Sequence, residues 1–392
     1  MKTIGHSPKW ANFETMRIQI LCFLAPWLSI FLVGCGTVTT NPIEKALASK
    51  NENIRRVVHN LGTHEVQILF SKIEKDSSGA ASFNEFKFQV NDSNYFYPAS
   101  TVKFPVAILA LEKLATMPET INRNTFYQFR GDSTRTTLSQ DIIKIFAVSD
   151  NDAYNRIFEF LGKDYINTQL HRKGIKARIS HRLSVENSAD LNHKTIDFYI
   201  NDSIVFTHKN TTARAIKPLE LRQLKKGIGY TINDSLVKKP MDFSKKNYLP
   251  IESLYGIMKR IIFPAYFSTN EQFHINDADR AFLINAMAMV PKEAGYDNDA
   301  YYDSYVKFFV VGDNKAEIPQ HIKLYNKVGY AYGYLTDCAY IVNSKTNTSY
   351  IITATIHVNE NRIYNDGIYE YETVGIPFLA ELGRQLINLK ME

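Results

Sequence analysis

Three short runs could do chemistry together, and they fall in a fixed order along the chain. The first is Ser100-Thr101-Val102-Lys103. Residues three apart on a helix share a face, so the serine hydroxyl and the lysine amine can meet. An amine held away from water has a lowered pKa and can take the serine proton. A helix start at this point adds backbone N–H groups and positive potential where an oxyanion would form. The second run, Ser149-Asp150-Asn151, offers a hydroxyl for proton relay and an amide to hydrogen-bond a substrate. The third, Lys327-Val328-Gly329, brings a cation to the head of a strand, with a glycine leaving the strand edge open to substrate. Alone, each is weak: most serines at helix starts are caps, and SDN is commonly a turn. Together, in this order, they point to acyl transfer through a nucleophilic serine.

The elements around them are readable from hydrophobic spacing. Residues 65–74 and 83–90 alternate as strands across the turn-rich segment 75–82, which predicts an antiparallel hairpin. Residues 101–115 are apolar almost all round, the pattern of a helix buried on every side. Helical spacing returns over 139–160, broken at Ser149-Asp150-Asn151, and again over 251–263. Two further strands, 332–343 and 349–359, precede a helical stripe of Phe378, Leu379, Leu382, Leu386 and Ile387. Strands at both ends with helices between them predict an α+β fold, an antiparallel β-sheet packed with helices. The expected organisation is one catalytic domain over 61–392 with a central insertion of roughly 184–275, since no linker-like composition brackets that segment.

Composition sets the outer limits. The 392 residues are 45% hydrophobic, 22% charged and 12% aromatic, with 18 Gly and 13 Pro, which excludes wholesale disorder, collagen-like repeats and a multi-span membrane protein. The net charge of +6 comes without a long Lys/Arg block and gives little support to nucleic-acid binding. Cys22, Cys35 and Cys338 are far apart, so neither a disulfide framework nor a zinc site is indicated, and Cys338 reads as packing. His181, His193, His321 and His357 lack metal-like spacing, and no metal or organic cofactor is implied. Residues 18–34 form an apolar stretch behind Arg17, which reads as a secretory signal. Its end, Leu32-Val33-Gly34-Cys35, resembles the lipobox of bacterial lipoproteins. That resemblance implies a signal peptide over 1–34, lipidation of Cys35, a polar tether to about residue 60, and an exported, membrane-anchored chain facing the periplasm or the cell surface.

The three runs and their flanks, YPASTVKFPVAILALEKL and KVGYAYGYLTDCAYIV, resemble the penicillin-recognising serine hydrolases, most nearly the class A β-lactamases and their longer, lipoprotein-type members in Bacteroidetes-type bacteria. The likeness runs from about 63 to 389 and is weak across the middle. It implies Ser100 as the acylated nucleophile and Lys103 as its base, directly or through a water. It implies that Ser149 passes a proton to the leaving amine and that Asn151 binds the substrate's side-chain amide. Lys327 would supply positive potential near a carboxylate. Gly329 would border the substrate, and the N–H groups of Ser100 and Tyr330 would form the oxyanion hole. The activity implied is opening of the β-lactam ring through an acyl-enzyme, by a monomer. The alternatives are a D-Ala-D-Ala carboxypeptidase or other serine amidase acting on a peptidoglycan peptide, or a binder that acylates without turnover.

Two departures from the family pattern stand out. Val328 replaces a Thr or Ser whose hydroxyl commonly contacts the carboxylate. The family deacylates with a Glu four residues before an Asn in an ExxLN pattern. Here Leu191-Asn192 could be that pair, but Ser188 occupies the position of the acid. Glu186 and Asp190 are the nearest carboxylates, and Glu186 is the candidate base.

Overall fold

Alternation along the strands requires two apolar layers, one for each face of the sheet. The computed structural model describes residues 41–389 and supplies both. The signal-like stretch and Cys35 lie outside the described residues. Five strands, β1 (Gln67–Lys75), β2 (Ala81–Phe88), β3 (Ile322–Ala331), β4 (Tyr334–Asn343) and β5 (Thr348–His357), pair antiparallel in the order β3-β4-β5-β1-β2. Five helices bear on the site: α1 (Lys103–Leu114), α2 (Leu138–Ala147), α3 (Asn151–Leu161), α4 (Ile251–Ile262) and α5 (Ile376–Asn388). On β1, Ile68 and Phe70 enter the apolar cluster built with α5, whereas Leu69 and Ile73 enter the one built with α4 and the helical half. The fold is α+β, with helices on both faces of an antiparallel sheet.

α1 forms as its composition dictates. Eleven of its twelve residues are buried, Lys103 among them, and Lys113 at the last turn is half-buried. A capping box starts α2: Gln140 N donates to Thr137 Oγ1 at 3.1 Å, and Thr137 N donates to Gln140 Oε1 at 3.3 Å. α3 starts on Asp150, whose Oδ1 accepts from Ala153 N at 2.7 Å. Between them Ser149 takes φ +56°, a left-handed conformation costing a non-glycine residue about 1 kcal/mol, so α2 ends and the chain turns there.

Three expectations need correction. The stretch read as a tether carries helices Pro42–Leu47 and Glu52–Val58, whose Ile43, Ala46, Ile54 and Val57 are fully buried in the α5 layer. Its polar residues mask an apolar stripe that has a partner only in the folded domain. α4, placed inside the insertion, is a core layer: Leu254, Ile257, Met258 and Ile261 are fully buried, and the Tyr255 hydroxyl meets Ser71 Oγ at 2.8 Å. Finally, Lys327 does not head a strand that runs on to Asn343. It lies late in β3, and a two-residue turn at Tyr332 (φ +55°) and Gly333 (φ +80°) folds the chain back into β4. Two consecutive positive φ values match the right-handed twist of a tight hairpin.

The rest of the middle segment builds small sheets. Phe126–Phe129 pairs with Arg135–Thr137 and with Ile196–Ile200, which pairs in turn with Ser203–His208. The hairpin Gly229–Ile232/Ser235–Val237 joins Ile363–Tyr364 in parallel. Among the described residues no helix is long and apolar enough to cross a membrane, and no group of three His, Cys, Asp or Glu could hold a metal ion.

Candidate active site

Ser100 is positioned by a turn rather than by the helix proper. Tyr95, Phe96, Tyr97 and Pro98 are buried, and Ala99 takes φ +46° before a 3-10 turn, Ala99–Val102, leads into α1. Pro98 O accepts from Thr101 N at 3.1 Å and from Thr101 Oγ1 at 2.6 Å, which closes the turn. Ser100 is left partly exposed beside buried Thr101, Val102 and Lys103. β3 crosses directly against it. A Cβ on Gly329 would stand 2.7 Å from both Ser100 N and Thr101 N, and 2.8 Å from Pro98 O. The missing side chain therefore makes room first for the backbone of the Ser100 turn, a tighter constraint than an open strand edge for substrate.

Two amines converge on one hydroxyl. Lys103 Nζ donates to Asn151 Oδ1 at 2.6 Å, to Ser149 Oγ at 3.3 Å and to the Ser149 carbonyl. Lys327 Nζ donates to the same Ser149 Oγ at 2.8 Å and to Val328 O at 2.8 Å. The two lysines are 0% and 2% exposed. Burial lowers Lys103 to about 7, against the upward pull of Asp150. Burial and the neighbouring Lys103 hold Lys327 well below an ordinary lysine, with Asp337 pulling the other way. A hydroxyl has two lone pairs and one proton. With both lone pairs taken by the amines, the Ser149 proton is the part left to face a ligand. The partners of Lys103 are Ser149 and Asn151, and Ser100 Oγ is not among them. Catalytic contacts of this kind often tighten only with substrate in place.

Behind Lys327, on the opposite face of β3, sits a buried polar knot that the sequence reading missed. Asp337 accepts from Asn326 Nδ2 at 2.9 Å and from Phe308 N at 3.1 Å, and Lys307 Nζ donates to Asn326 Oδ1 at 2.9 Å. Burial pushes the Asp337 carboxyl up to about 6 and Lys307 down to about 8. Val328 is 1% exposed and belongs to the apolar core on the α5 face. Tyr330, 48% exposed, packs its ring near Phe308 and Tyr371, at 6.2 and 5.3 Å between centroids.

Facing the Ser149-Asn151 corner is the loop expected to hold the deacylating base. Asn151 Nδ2 donates to Ser184 Oγ at 2.8 Å. Asn155 brackets the preceding residue: Leu183 N donates to Asn155 Oδ1 at 2.8 Å, and Asn155 Nδ2 donates to Leu183 O at 2.9 Å. The loop is thus clamped to the site at Leu183 and Ser184. Glu186 is exposed, and Asp190 turns its Oδ1 to Asn192 N at 3.1 Å. Asn155 was findable, because it follows Asn151 by four and so shares its helix face.

Residues 50–224, which carry Ser100, Lys103, Ser149 and Asn151, match the model of the beta-lactamase enzyme family. Among solved structures the chain is similar to a beta-lactamase from Sphaerobacter thermophilus, at 12% identity over 88% of this chain and 95% of that one, TM-score 0.45. It is similar to a beta lactamase from Xanthomonas campestris at 13% identity over 88% and 97%, TM-score 0.48. It is also similar to PBP-A, at 12% identity over 89% and 97%, TM-score 0.48. No curated protein matches the chain.

Proposed function

We propose that this protein is a serine hydrolase that takes β-lactams as acyl donors, forming an acyl-enzyme on Ser100. The convergence of Lys103 and Lys327 on the Ser149 hydroxyl, beside a nucleophile turn sealed by Gly329, carries the reading. Lys103, near neutrality at about 7, takes the Ser100 proton as Oγ attacks the lactam carbonyl. The backbone N–H groups of Ser100 and Tyr330 hold the oxyanion. The C–N bond then breaks: Ser149 gives its proton to the leaving nitrogen and is resupplied by Lys103 across their 3.3 Å hydrogen bond. Lys327 attracts the substrate carboxylate, and Asn151 binds its side-chain amide. Incubation with a labelled penicillin followed by intact-mass measurement tests this. A single adduct on Ser100, absent from Ser100→Ala, is expected, and no adduct on the wild-type chain removes the reading.

Rapid turnover requires a base for the second half-reaction, and the candidate is Glu186, with Asp190 the other carboxylate of that exposed loop. The clamp on Leu183 and Ser184, which brings no carboxylate to Asn151, favours a second reading: a cell-wall peptidase or β-lactam-binding protein with a long-lived adduct. A chromogenic cephalosporin distinguishes the two by burst against steady turnover. We further propose export and anchoring through a lipid on Cys35, tested by release of Cys35→Ala from the membrane fraction.

A further inference from the structure

The positive charge of the chain is concentrated in one stretch. Residues 209–246 carry ten Lys and Arg against three Asp and Glu, a charge of +7, so the other 354 residues sum to −1 within the total of +6. The stretch is built round a single arm. Lys225–Lys226 pairs antiparallel with Met241–Asp242 at its root, and Gly229–Ile232 pairs with Ser235–Val237 at its tip, across a turn with positive φ at Asn233 and Asp234. The root is fixed. Lys226 Nζ meets Glu65 Oε2 at 2.7 Å, and a Cβ on Gly227 would stand 2.4 Å from the Arg362 carbonyl oxygen. Just past the root, the Phe243 ring packs 6.0 Å from Tyr97, on the segment that leads into the Ser100 turn. The tip is open on both faces. Ile232 stands opposite Ser235 and Leu236 opposite Thr231, so the two apolar side chains leave opposite faces of the hairpin, and both are exposed.

Ile228, Ile232, Leu236 and Ile368 are between 48% and 62% exposed. Ile368 belongs with the tip because Asn365, three residues before it, donates through Nδ2 to Thr231 O at 3.0 Å. Around the stem Arg222, Lys225, Lys238, Lys239 and Lys245 are exposed, and none of them makes an ion pair among the described residues. Single exposed apolar residues need no explanation, and lysines beside an edge strand keep it from pairing. Here four large apolar side chains stand out beyond a cationic stem. That is the order in which groups meet an anionic bilayer, apolar ones entering the acyl boundary while ammonium groups stay at the phosphates. We propose that the 225–242 hairpin is a membrane-docking arm, its exposed Ile and Leu side chains entering an anionic lipid surface and its stem lysines binding the headgroups. The packing of Phe243 on Tyr97 then fixes how the Ser100 cleft faces the lipid. The N-terminal reach agrees: Pro42, in a helix folded onto the body, is seven residues past Cys35, so a lipid there would hold the domain within about 25 Å of the bilayer. The arm depends neither on that lipid nor on the acyl-transfer reading.

Residues 40–392 form one compact unit with both apolar layers closed inside it, so the chain from Gly36 onward, free of the 18–34 stretch and of Cys35, is the material for the test. Vesicle co-sedimentation compares phosphatidylcholine alone with phosphatidylcholine carrying about one-third phosphatidylglycerol. Binding to the anionic vesicles is expected to be at least about tenfold tighter and to weaken as salt rises. Ile232→Ser combined with Leu236→Ser should lower it about tenfold at unchanged charge, and Lys238→Gln combined with Lys239→Gln should lower it by at least as much, about tenfold. All four side chains are exposed, so circular dichroism and the thermal melt should match those of the wild type. Equal sedimentation with both vesicle types, or none with either, overturns the arm. So does unchanged affinity in the double serine variant, which leaves a basic patch open to any soluble polyanion. A wild-type dimer in sedimentation velocity that Leu236→Ser abolishes gives the open edge of the hairpin to a second copy, and overturns the arm as well.

Discussion

Two regions meet at Asn151, and they are built to different standards. On one side Lys103, Lys327, Ser149 and the Ser100 turn are buried or nearly so, cross-bonded, and pressed against a glycine that tolerates no Cβ. On the other, the 182–190 loop is exposed beyond Leu183 apart from half-buried Ser188, and it is held to the site through Ser184 and Leu183. The first region holds the hydroxyls and amines to which the proposed function gives the roles of nucleophile, base and proton donor within a narrow geometry. The second closes one side of the cleft without committing an acid to it. The difference teaches that, on the proposed function, forming an acyl-enzyme and releasing it would draw on separately built regions of the site.

Perturbing each side should expose that asymmetry. The largest effect belongs to Lys103→Ala, which should slow acylation by about 10²- to 10⁴-fold, the usual worth of a positioned base. The fold should stay intact, because removing a buried, desolvated amine relieves a cost that offsets part of the hydrogen bonds lost at Ser149 and Asn151. Acylation rates by stopped flow and a thermal melt check both. Gly329→Ala comes next: the new methyl must displace the backbone at Ser100, so acylation should drop at least about tenfold, with destabilisation of about 1–3 kcal/mol. The pH profile follows. Lys103 acts as a base only when neutral and its pKa is lowered to about 7, so acylation should rise through pH 7 and level off above it. The gain between pH 6 and 8 should be about tenfold, and Lys103→Ala should abolish it. Smallest is Glu186→Gln, expected to change adduct lifetime by less than about threefold, since the carboxylate is exposed and general-base catalysis requires reach. A tenfold lengthening would instead make Glu186 the deacylating base and erase the contrast.

What could be read from the sequence follows the range of the interactions. α1 was legible because burial on every side leaves an apolar text with no polar face. The α5 stripe was legible for the same local reason, and β4 and β5 could be placed from their alternation. The β3–β4 turn was not, because Tyr-Ala-Tyr-Gly-Tyr reads as one strand-like run when the positive φ at Tyr332 is hidden. The helices at 42–58 were missed because their apolar stripe is short and its partner, α5, lies more than three hundred residues away. At the site, the residue types and order of the three runs were visible. Asn155 itself could be picked out by its spacing to Asn151, but its grip on Leu183 and the hold of Asp337 on Phe308 could not, because those partners lie 28 and 29 residues away.

The pairing of β1 with β5 sets Gln67 opposite Thr355, so the sheet is stitched from the first and last parts of the described chain. During synthesis the hairpin of β1 and β2 must wait, with one flank unpaired, until the final strands emerge. The partner strand that carries Lys327 arrives in the same late stretch. A nascent chain therefore lacks both the Lys327 amine and the strand that backs the Ser100 turn until these late residues have been made.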